Sequence, residues 1–514
     1  MGRVARPAPF LSTAAPFPLF FVDELRAAWR DEPRDHRVAL VAVCLIGVAL
    51  RVIYLSQPMR YDESVTYVFF ARLPWREVMA NYTYPNNHIL HTLLVKAATT
   101  AFGNTPAVIR LPAFVAGVLL LPATYVMARL LYDSRVALVA TALVATSGGL
   151  VLFSTNARGY SMVVLAFVLL ATLGARLLRG APPREWLAFS AVTAYGLWTI
   201  PVTLYPLGAV SLWLALSMLV SEPQRVADLR RLATALVVAA LITALLYMPV
   251  ISRAGISAIT RNRFVASTGW YQFLGEMPPT LRDAVTSWTL GLPIVVSLVL
   301  AACGVVGLAR HRVLSSFVVG LPLGAFVWSS WLLAVNHRAP FGRVWLWLVP
   351  LVSCLVACGA LLITGRWERT RALLSARLPA LTLGFALSAA GAVVLSRDVL
   401  LSRDTGTYRD APEAVRVLAR AVGSDGRILT SIPTNGPLAY YLEREGVPAD
   451  VMLRDEGSSA RVIVVVDDAE RQTLESVTAR SAVRDTARFG PPRLLARLPS
   501  SQLVLFERRN APTR

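Results

Sequence analysis

The most regular feature of the chain is a series of apolar runs of about 20 residues, separated by short polar segments. Folded as a helix, a run of this length crosses the roughly 30 Å hydrocarbon layer of a bilayer. The pattern predicts a mainly α-helical, polytopic transmembrane bundle of about 11 spans. Their approximate bounds are 38–56, 107–131, 136–154, 159–178, 185–200, 202–220, 231–252, 286–308, 313–335, 344–364 and 377–396.

One apolar segment, "HILHTLLVKAATTAF" at 88–102, is too short for a confident span and contains two histidines and a lysine. If it crossed the membrane, the arginine-bearing turn around Arg129 and Arg135 would lie outside, and the sides of all later turns would be inverted. If it lies along the membrane surface, turns such as "ARLLYDSR" and "GRWERTRALLSAR" all fall on the cytoplasmic side, as the positive-inside rule requires. We therefore predict a surface helix and a cytoplasmic N-terminus. A twelfth short span is the alternative.

This topology predicts three parts. Residues 1–37 form a cytoplasmic N-terminal segment, residues 38–396 form the transmembrane domain, and residues 397–514 form a soluble extracytoplasmic domain. The transmembrane domain contains a long external first loop, 57–106, in which "SVTYVFFARL" and "PWREVMANY" suggest two surface helices broken at Pro74. Long loops of this kind are often functional.

The last part of the chain has a different pattern, with short β-branched runs between helical ones. "RILTS", "RVIVVVDD" and "QLVLFER" are typical of strands. "DAPEAVRVLARAVG" suggests a helix with Asp410 as its N-cap and Pro412 in its first turn, and "GPLAYYLEREG" suggests another that ends at a glycine. The alternation predicts a small α/β domain.

Composition supports the membrane assignment and narrows the function. The chain is 55% hydrophobic and 16% charged, with a mean hydropathy of +0.55. Its net charge of +20 arises mostly from arginines in the predicted cytoplasmic turns, so it reports topology and not nucleic-acid binding. The cysteines all lie in apolar runs and are expected to be buried thiols, with no disulfide framework or metal site: Cys44, Cys303, Cys354 and Cys358.

An acidic pair follows the first span directly, in "RYDES". Adjacent carboxylates oppose each other's ionisation, and partial burial adds to the effect. A carboxylate in this state can take a proton from an attacking hydroxyl group, so Asp62 and Glu63 are candidate catalytic residues. The alternative is ordinary charge at the membrane interface.

Arginines also occur on the predicted external side, where the positive-inside rule expects few. A guanidinium group near a bilayer is costly unless it is paired or reaches the surface, and its planar shape suits phosphate oxygens. The set therefore suggests binding of an anionic, lipid-linked group, although each member could instead pair with Asp62 or Glu63. Its members are Arg110, Arg158, Arg261, Arg263, Arg338 and Arg343.

The first external loop also contains His88 and His91, which share a helix face at a spacing of three residues. Metal ligation together with Glu63 is one interpretation. No HExxH motif or His/Cys cluster accompanies the pair, so a hydrogen-bonding role is favoured. We predict no dedicated metal site, and a divalent metal remains an open alternative.

The order of these features resembles the GT-C glycosyltransferases. Within them it is most similar to the bacterial family 39 branch that is related to protein mannosyltransferases and the lipid A aminoarabinose transferase. The similarity covers nearly the whole chain. It rests on the acidic pair after the first span, the histidine-containing helix, "IRLPA", "RGYS", "GRVWLWLVP" and the soluble tail with "LAYYLEREG". Eleven spans and a long first loop also match protein mannosyltransferases.

The resemblance implies roles for individual residues. Asp62, with Glu63 beside it, would be the catalytic base. The substrate-binding residues would be Arg110 of the "RLP" motif, Arg158 and Tyr160 of "ARGY", Arg343 of the late "R-x-W" motif, and His88. The family commonly has His-Pro-Pro-Leu in this loop, whereas this chain has "NNHILH" without the prolines. This departure affects the expected acceptor more than the reaction class.

The implied reaction moves a sugar, with inversion, from a polyprenyl-phosphate donor to an acceptor hydroxyl or similar nucleophile. The implied location is the outer face of a bacterial inner membrane. The partners would be the lipid-linked donor, membrane lipid and an acceptor that is a protein, a lipid or a glycan. Three alternatives remain: a transporter or flippase of lipid-linked saccharide, a scaffold that presents residues 397–514, and an oligosaccharide ligase or polymerase of the same superfamily.

Overall fold

The computed structural model of the chain describes residues 19–220, 225–261, 266–366 and 368–509. Up to residue 396 its α-helices are α1 (Leu19–Asp31), α2 (Arg34–Leu55), α3 (Tyr61–Val65), α4 (Trp75–Ala80), α5 (Ile89–Phe102), α6 (Pro106–Leu131), α7 (Ser134–Thr146), α8 (Gly148–Ser154), α9 (Tyr160–Leu178), α10 (Arg184–Thr199), α11 (Leu204–Val220), α12 (Arg225–Ala254), α13 (Ser257–Thr260), α14 (Trp270–Trp288), α15 (Ile294–Arg310), α16 (Leu321–Asn336), α17 (Val349–Thr364) and α18 (Glu368–Ser396). The tail adds α19 (Asp398–Leu401), α20 (Ala411–Ala421), β1 (Gly426–Leu429), α21 (Asn435–Arg444), β2 (Arg461–Asp467), α22 (Leu474–Thr478), β3 (Arg493–Arg497) and β4 (Ser501–Glu507).

The protein is a mainly helical, multi-pass membrane protein. Within the described ranges, 8 helices are long and apolar enough to cross a bilayer, or up to 9 if the pair α7 and α8, bent by 60°, counts as one span. Exposed aliphatic side chains mark the faces that meet lipid. Along α15, for example, Ile294, Val295 and Leu298 are each more than 60% exposed.

The remaining predicted spans coincide with shorter helices. α10 and α16 each have 16 residues, about 24 Å of helix, which is less than the hydrocarbon thickness. The predicted span 286–308 starts later than expected, at Ile294, because a turn at Gly291–Pro293 separates it from α14. The predicted count of about 11 spans therefore remains a prediction.

The surface segment of the first loop follows the sequence prediction more closely. α5 has 14 residues, about 21 Å, and is too short to cross the membrane. The two amphipathic stretches are also broken where expected. α3 continues as a π-helix, Thr66–Ala71, and Pro74 is the N-cap of α4.

Two of the spans cross at small residues. A Cβ atom on Gly307 of α15 would lie 1.8 Å from the carbonyl oxygen of Leu355 in α17. A Cβ atom on Gly359 of α17 would lie 1.8 Å from the carbonyl oxygen of Cys303. Glycine at both positions lets the backbones approach closely, which is how helices commonly associate in lipid.

Chain contacts divide the protein into two compact units. The first comprises 1–50, 115–151 and 159–396, and the second comprises 51–114, 152–158 and 397–514. The first loop, with α3 to α5, therefore clusters with the tail and not with the main set of spans. The linear boundary predicted at residue 397 remains a prediction.

In the tail, a four-stranded mixed sheet has the order β1-β2-β4-β3. β1 runs parallel to β2, whereas β4 is antiparallel to both β2 and β3. The three predicted strands are present, and β3 was missed because its sequence, "RLLAR", alternates poorly. The α/β character of the tail agrees with the prediction.

Asp410 occupies the predicted N-cap position of α20, and Pro412 lies in the first turn. The predicted N-cap residue is therefore confirmed, although its side chain makes no capping hydrogen bond to that helix. Its Oδ2 instead accepts hydrogen bonds from the backbone N–H of Ser500 at 2.8 Å and the hydroxyl of Ser501 at 2.9 Å. The carboxylate thus fastens α20 to the start of β4.

Candidate active site

The acidic motif lies at the start of a short helix. After α2 ends at Leu55, the chain turns, and α3 begins at Tyr61 with Arg60 as its N-cap. The backbone N–H of Arg60 donates to Glu63 Oε1 at 2.7 Å, which closes the first turn. Because successive helical residues differ by about 100° in direction, Asp62 and Glu63 enter different surroundings.

Glu63 is fully buried and surrounded by donors. Oε1 accepts from the backbone of Arg60 and from Arg110 Nη2. Oε2 accepts from Arg110 Nε at 2.9 Å and from the backbone N–H of Ala157 at 3.0 Å. These hydrogen bonds join three segments that are distant in sequence, so the geometry favours a positioning role for Glu63.

The N–H groups of Arg110 are likewise occupied by hydrogen bonds. In addition to the two hydrogen bonds that Arg110 donates to Glu63, its Nη1 donates to the carbonyl oxygens of Leu55 at 2.8 Å and Gln57 at 2.6 Å. Nη2 also donates to the carbonyl oxygen of Pro58 at 3.0 Å. These bonds satisfy the carbonyl group of Leu55, which the end of α2 leaves without a helical partner, and two carbonyl groups of the turn that follows. Arg110 therefore has little donor capacity left for a phosphate, and its expected role in substrate binding remains only a prediction.

Asp62 is 8% exposed and has a different environment. Its Oδ1 accepts from the side-chain amide of Asn86 at 3.2 Å. The backbone N–H of Asp62 donates to the carbonyl oxygen of Thr405 at 3.1 Å. Arg110 binds both carboxylate oxygens of Glu63, so of the two acids Asp62 is the better candidate for proton transfer.

Arg158 is also buried, and it contacts the same loop. Its Nη1 donates to the carbonyl oxygen of Asn86 at 2.9 Å and to the hydroxyl of Thr66 at 3.2 Å. Its Nη2 lies 3.0 Å from His88 Nε2, which must be the acceptor because a guanidinium group only donates. Nε of Arg158 has no hydrogen-bond partner among the described residues.

The two histidines differ. His88 is the N-cap residue of α5 and holds Arg158, which agrees with the predicted hydrogen-bonding role. His91 is fully buried, and neither ring nitrogen has a hydrogen-bond partner in the part of the chain that the structure describes. Burial, helped by the nearby charge of Arg158, lowers the pKa of His91 to about 3, so its imidazole is neutral at physiological pH.

A segment of the tail completes this site, and sequence reasoning missed it. Arg60 donates from Nη1 to the carbonyl oxygen of Ser402 and from Nη2 to that of Val399, both at 2.6 Å. A β-bridge joins Arg60 to Thr407, and the N–H of Tyr61 donates to Gly406. Burial lowers the pKa of Arg60 to about 10, which leaves the side chain charged at neutral pH.

Thr405 is the most unusual residue of this segment. It has a φ of 81°, which is unfavourable for a β-branched residue. Its carbonyl oxygen accepts from Asp62, and its hydroxyl accepts from the side-chain amide of Asn156 at 2.9 Å. Strain of this kind is retained where surrounding contacts fix the backbone, often at functional sites.

Replacing Thr405 with Val is expected to lower stability by about 1–3 kcal/mol, because it removes the acceptor and leaves the buried amide of Asn156 without a partner. Thr405→Ser retains the hydroxyl and is the matched control. Thermal unfolding of both variants in detergent, compared with the parent, measures the difference. Equal midpoints for Val and Ser would contradict this role.

The other predicted site residues lie in the first unit. Arg343 Nε donates to the hydroxyl of Tyr160 at 3.1 Å, and its guanidinium lies 4.7 Å from the ring centroid of Phe341. Arg338 is half-buried, and Arg261 is exposed at the end of α13. Arg263 lies outside the described residues.

No group of three or more His, Cys, Asp or Glu side chains within the described ranges has the arrangement of a metal site. The expectation that transfer needs no dedicated metal site remains a prediction, which a chelator in the transfer assay would test.

Comparison with solved structures identifies the architecture. ArnT from Cupriavidus metallidurans in the apo state matches with a TM-score of 0.57 at 14% identity, over 94% of this chain and 98% of ArnT. The same protein bound to undecaprenyl phosphate matches with a TM-score of 0.55 at 15% identity, over 91% and 97%. The chain has the GT-C fold. At this level of identity the likeness concerns the fold alone.

The oligosaccharyltransferase of Archaeoglobus fulgidus also matches, with a TM-score of 0.47 at 12% identity, over 88% of this chain and 71% of that protein. No protein-family model and no curated relative matches the sequence. The GT-C fold agrees with the resemblance seen in the sequence, and membership of family 39 remains a proposal.

Several residues of this candidate site could not be singled out from the sequence. Arg60 and Asn86 stand within quoted motifs, beside the acidic pair and the histidines, and that proximity was the available signal. Thr405 had none, because it lies more than 300 residues from Asp62 in an unremarkable polar stretch.

Proposed function

We propose that the protein is a membrane glycosyltransferase that moves a sugar from a polyprenyl-phosphate donor to an acceptor hydroxyl or similar nucleophile. Asp62 is the base. The acceptor oxygen attacks the anomeric carbon, its proton passes to Asp62, and the bond from that carbon to the phosphate oxygen breaks with its electron pair. A single displacement of this kind inverts the anomeric centre. The leaving group is already an anion, so it needs cations and no acid.

The observation that carries the proposal is the position of Asn86. Its side-chain amide donates to the Asp62 carboxylate, and its backbone carbonyl oxygen accepts from the Arg158 guanidinium. One residue thus bridges a candidate base and a candidate phosphate ligand. Nε of Arg158 is buried and without a partner among the described residues, which suits an incoming anionic oxygen.

The lipid carrier follows from the same chemistry and from the fold. ArnT, which shares the GT-C fold, has been solved with undecaprenyl phosphate bound. A donor held in the bilayer also explains why sugar chemistry takes place in a protein with membrane-spanning helices. We place the reaction at the outer face of the membrane, as the arginine distribution predicts, and the resemblance to bacterial family 39 enzymes implies that this is a bacterial inner membrane.

Arg158→Ala is expected to weaken binding of undecaprenyl phosphate by roughly 10- to 100-fold, because hydrogen bonds to charged groups contribute about 1.5–3 kcal/mol. The measurement is lipid titration of the purified protein, followed by native mass spectrometry.

Arg72→Ala is the matched control, since Arg72 is an exposed arginine of the same loop that pairs with Glu443 at 2.7 Å. Thermal unfolding of each variant separates lost binding from lost folding. Unchanged lipid affinity in a folded Arg158→Ala protein would remove Arg158 from the donor site.

The sugar and the acceptor require a direct experiment. Mass spectrometry of envelope glycans, lipids and proteins from cells with and without the protein should show one saccharide modification that depends on it. No difference in any of the three fractions would count against a transferase.

A further inference from the structure

A second region of the molecule, at the start of the first span, contains an apolar groove with no assigned function. Its volume is about 500 Å³, which falls within the roughly 300–1,000 Å³ typical of ligand pockets. One wall comes from α1, the floor comes from the first half of α2, and Pro122 and Tyr125 of α6 close the far side. All of it lies in the first compact unit.

α1 is held firmly enough to form a wall. The buried carboxylate of Glu24 pairs with Arg176, whose guanidinium also binds Glu185 with an Nε–Oε2 distance of 2.9 Å. At the C-terminal end of α1, Asp31 pairs with Arg129 at 2.7 Å. These ion pairs fix the middle and the C-terminal end of the helix against the ends of α6, α9 and α10.

The groove has an apolar part and a cationic rim. Leu40, Cys44 and Val48 of α2 line it on a helix that crosses the bilayer, so this part lies beside lipid chains. Arg26, Arg30 and Arg37 also line it, near the start of that span. Trp29, which is 49% exposed, stands among them, as is typical of tryptophan at a membrane interface.

Three acids near the rim lie close to basic side chains. Asp23 lies 3.5 Å from Arg26, and Asp31 pairs with Arg129. Glu32, which lines the groove, lies 3.7 Å from Arg129 and 3.8 Å from His36. Arg37 donates to the carbonyl oxygen of Trp29 at 3.2 Å and stacks on its ring, which keeps its charge at the mouth of the groove.

We propose that this groove is a binding site for one anionic glycerophospholipid. An acyl chain lies along Leu40, Cys44 and Val48, and the headgroup phosphate contacts Arg30 and Arg37. The combination selects this occupant, because an apolar floor alone accepts any lipid, whereas the cationic rim favours an anionic headgroup. The inference does not depend on the proposed catalytic function, and its test uses no transfer assay.

The test measures lipid retained by the purified full chain after exchange into nanodiscs that contain phosphatidylglycerol and phosphatidylcholine in equal amounts. Native mass spectrometry is expected to show retained phosphatidylglycerol in excess. Arg30→Gln should reduce this preference about fivefold, the usual contribution of one arginine near an anionic surface. Arg135→Gln, which alters an exposed arginine outside the groove, should leave it unchanged.

Variants that fill the groove distinguish the contribution of the lipid's acyl chain from that of its headgroup. Cys44→Trp should abolish retention of both lipids, and Val41→Phe serves as a second filling variant if the first fails to fold. Equal retention of the two lipids by the parent chain, or a preference unaffected by Arg30→Gln, would overturn the proposal. A chain lacking residues 1–16 that gains a bound lipid would instead make its own N-terminal segment the occupant.

Discussion

Replacing Asp62 with Asn is expected to reduce sugar transfer by roughly 10²- to 10⁴-fold, the usual contribution of a positioned general base. Asparagine has nearly the same shape, and its carbonyl oxygen can still accept the hydrogen bond from Asn86. The backbone bond from position 62 to Thr405 does not involve the side chain. The variant should therefore fold and bind undecaprenyl phosphate like the parent.

The measurement is complementation of cells that lack the protein, with envelope glycans read by mass spectrometry and binding of undecaprenyl phosphate measured on the purified variant. Glu445→Gln, an exposed acid of the tail, is the matched control and should restore the modification fully. If Asp62→Asn restores the modification to within tenfold of the parent level, Asp62 is not the base.

Replacing Arg110 with Ala is expected to destabilise the protein by about 3–5 kcal/mol, the usual cost of removing one partner from a buried ion pair. Both side chains of the Arg110–Glu63 pair are 0% exposed. The substitution would leave the Glu63 carboxylate buried with only two backbone donors, and the carbonyl groups of Leu55, Gln57 and Pro58 would lose their guanidinium partner. Thermal unfolding in detergent and the yield of folded protein measure the effect.

The Arg72–Glu443 pair is a control with a similar short contact but with 43% and 33% exposure. Because surface pairs contribute about 0–1 kcal/mol, Arg72→Ala should change the midpoint little. Comparing the two variants isolates the effect of burial. A stable Arg110→Ala protein that has lost only lipid binding would reverse our assignment and make Arg110 a substrate ligand.

In the tail, the local sequence pattern predicts secondary structure but not side-chain contacts. The three strands and both helices singled out there follow from β-branched runs and from the Pro and Gly signals at helix ends. The side-chain role of Asp410 did not follow, because its carboxylate binds Ser500 and Ser501, about 90 residues later, in place of its own helix. Nothing in a local window distinguishes these two uses of an N-cap aspartate.

The sequence by itself determined that the chain is a multi-pass helical membrane protein and which short motifs are candidates for its chemistry, because length, hydropathy and residue type are local properties. Tertiary structure decided that the two acids have different surroundings. Glu63 and Asp62 are neighbours in the chain, yet the burial of Arg110 against one and the approach of Asn86 to the other depend on contacts between distant segments. Only folding brings Thr405 to the acidic motif, since the hydrogen bonds that hold it there come from Asp62 and Asn156, which lie in other segments of the chain.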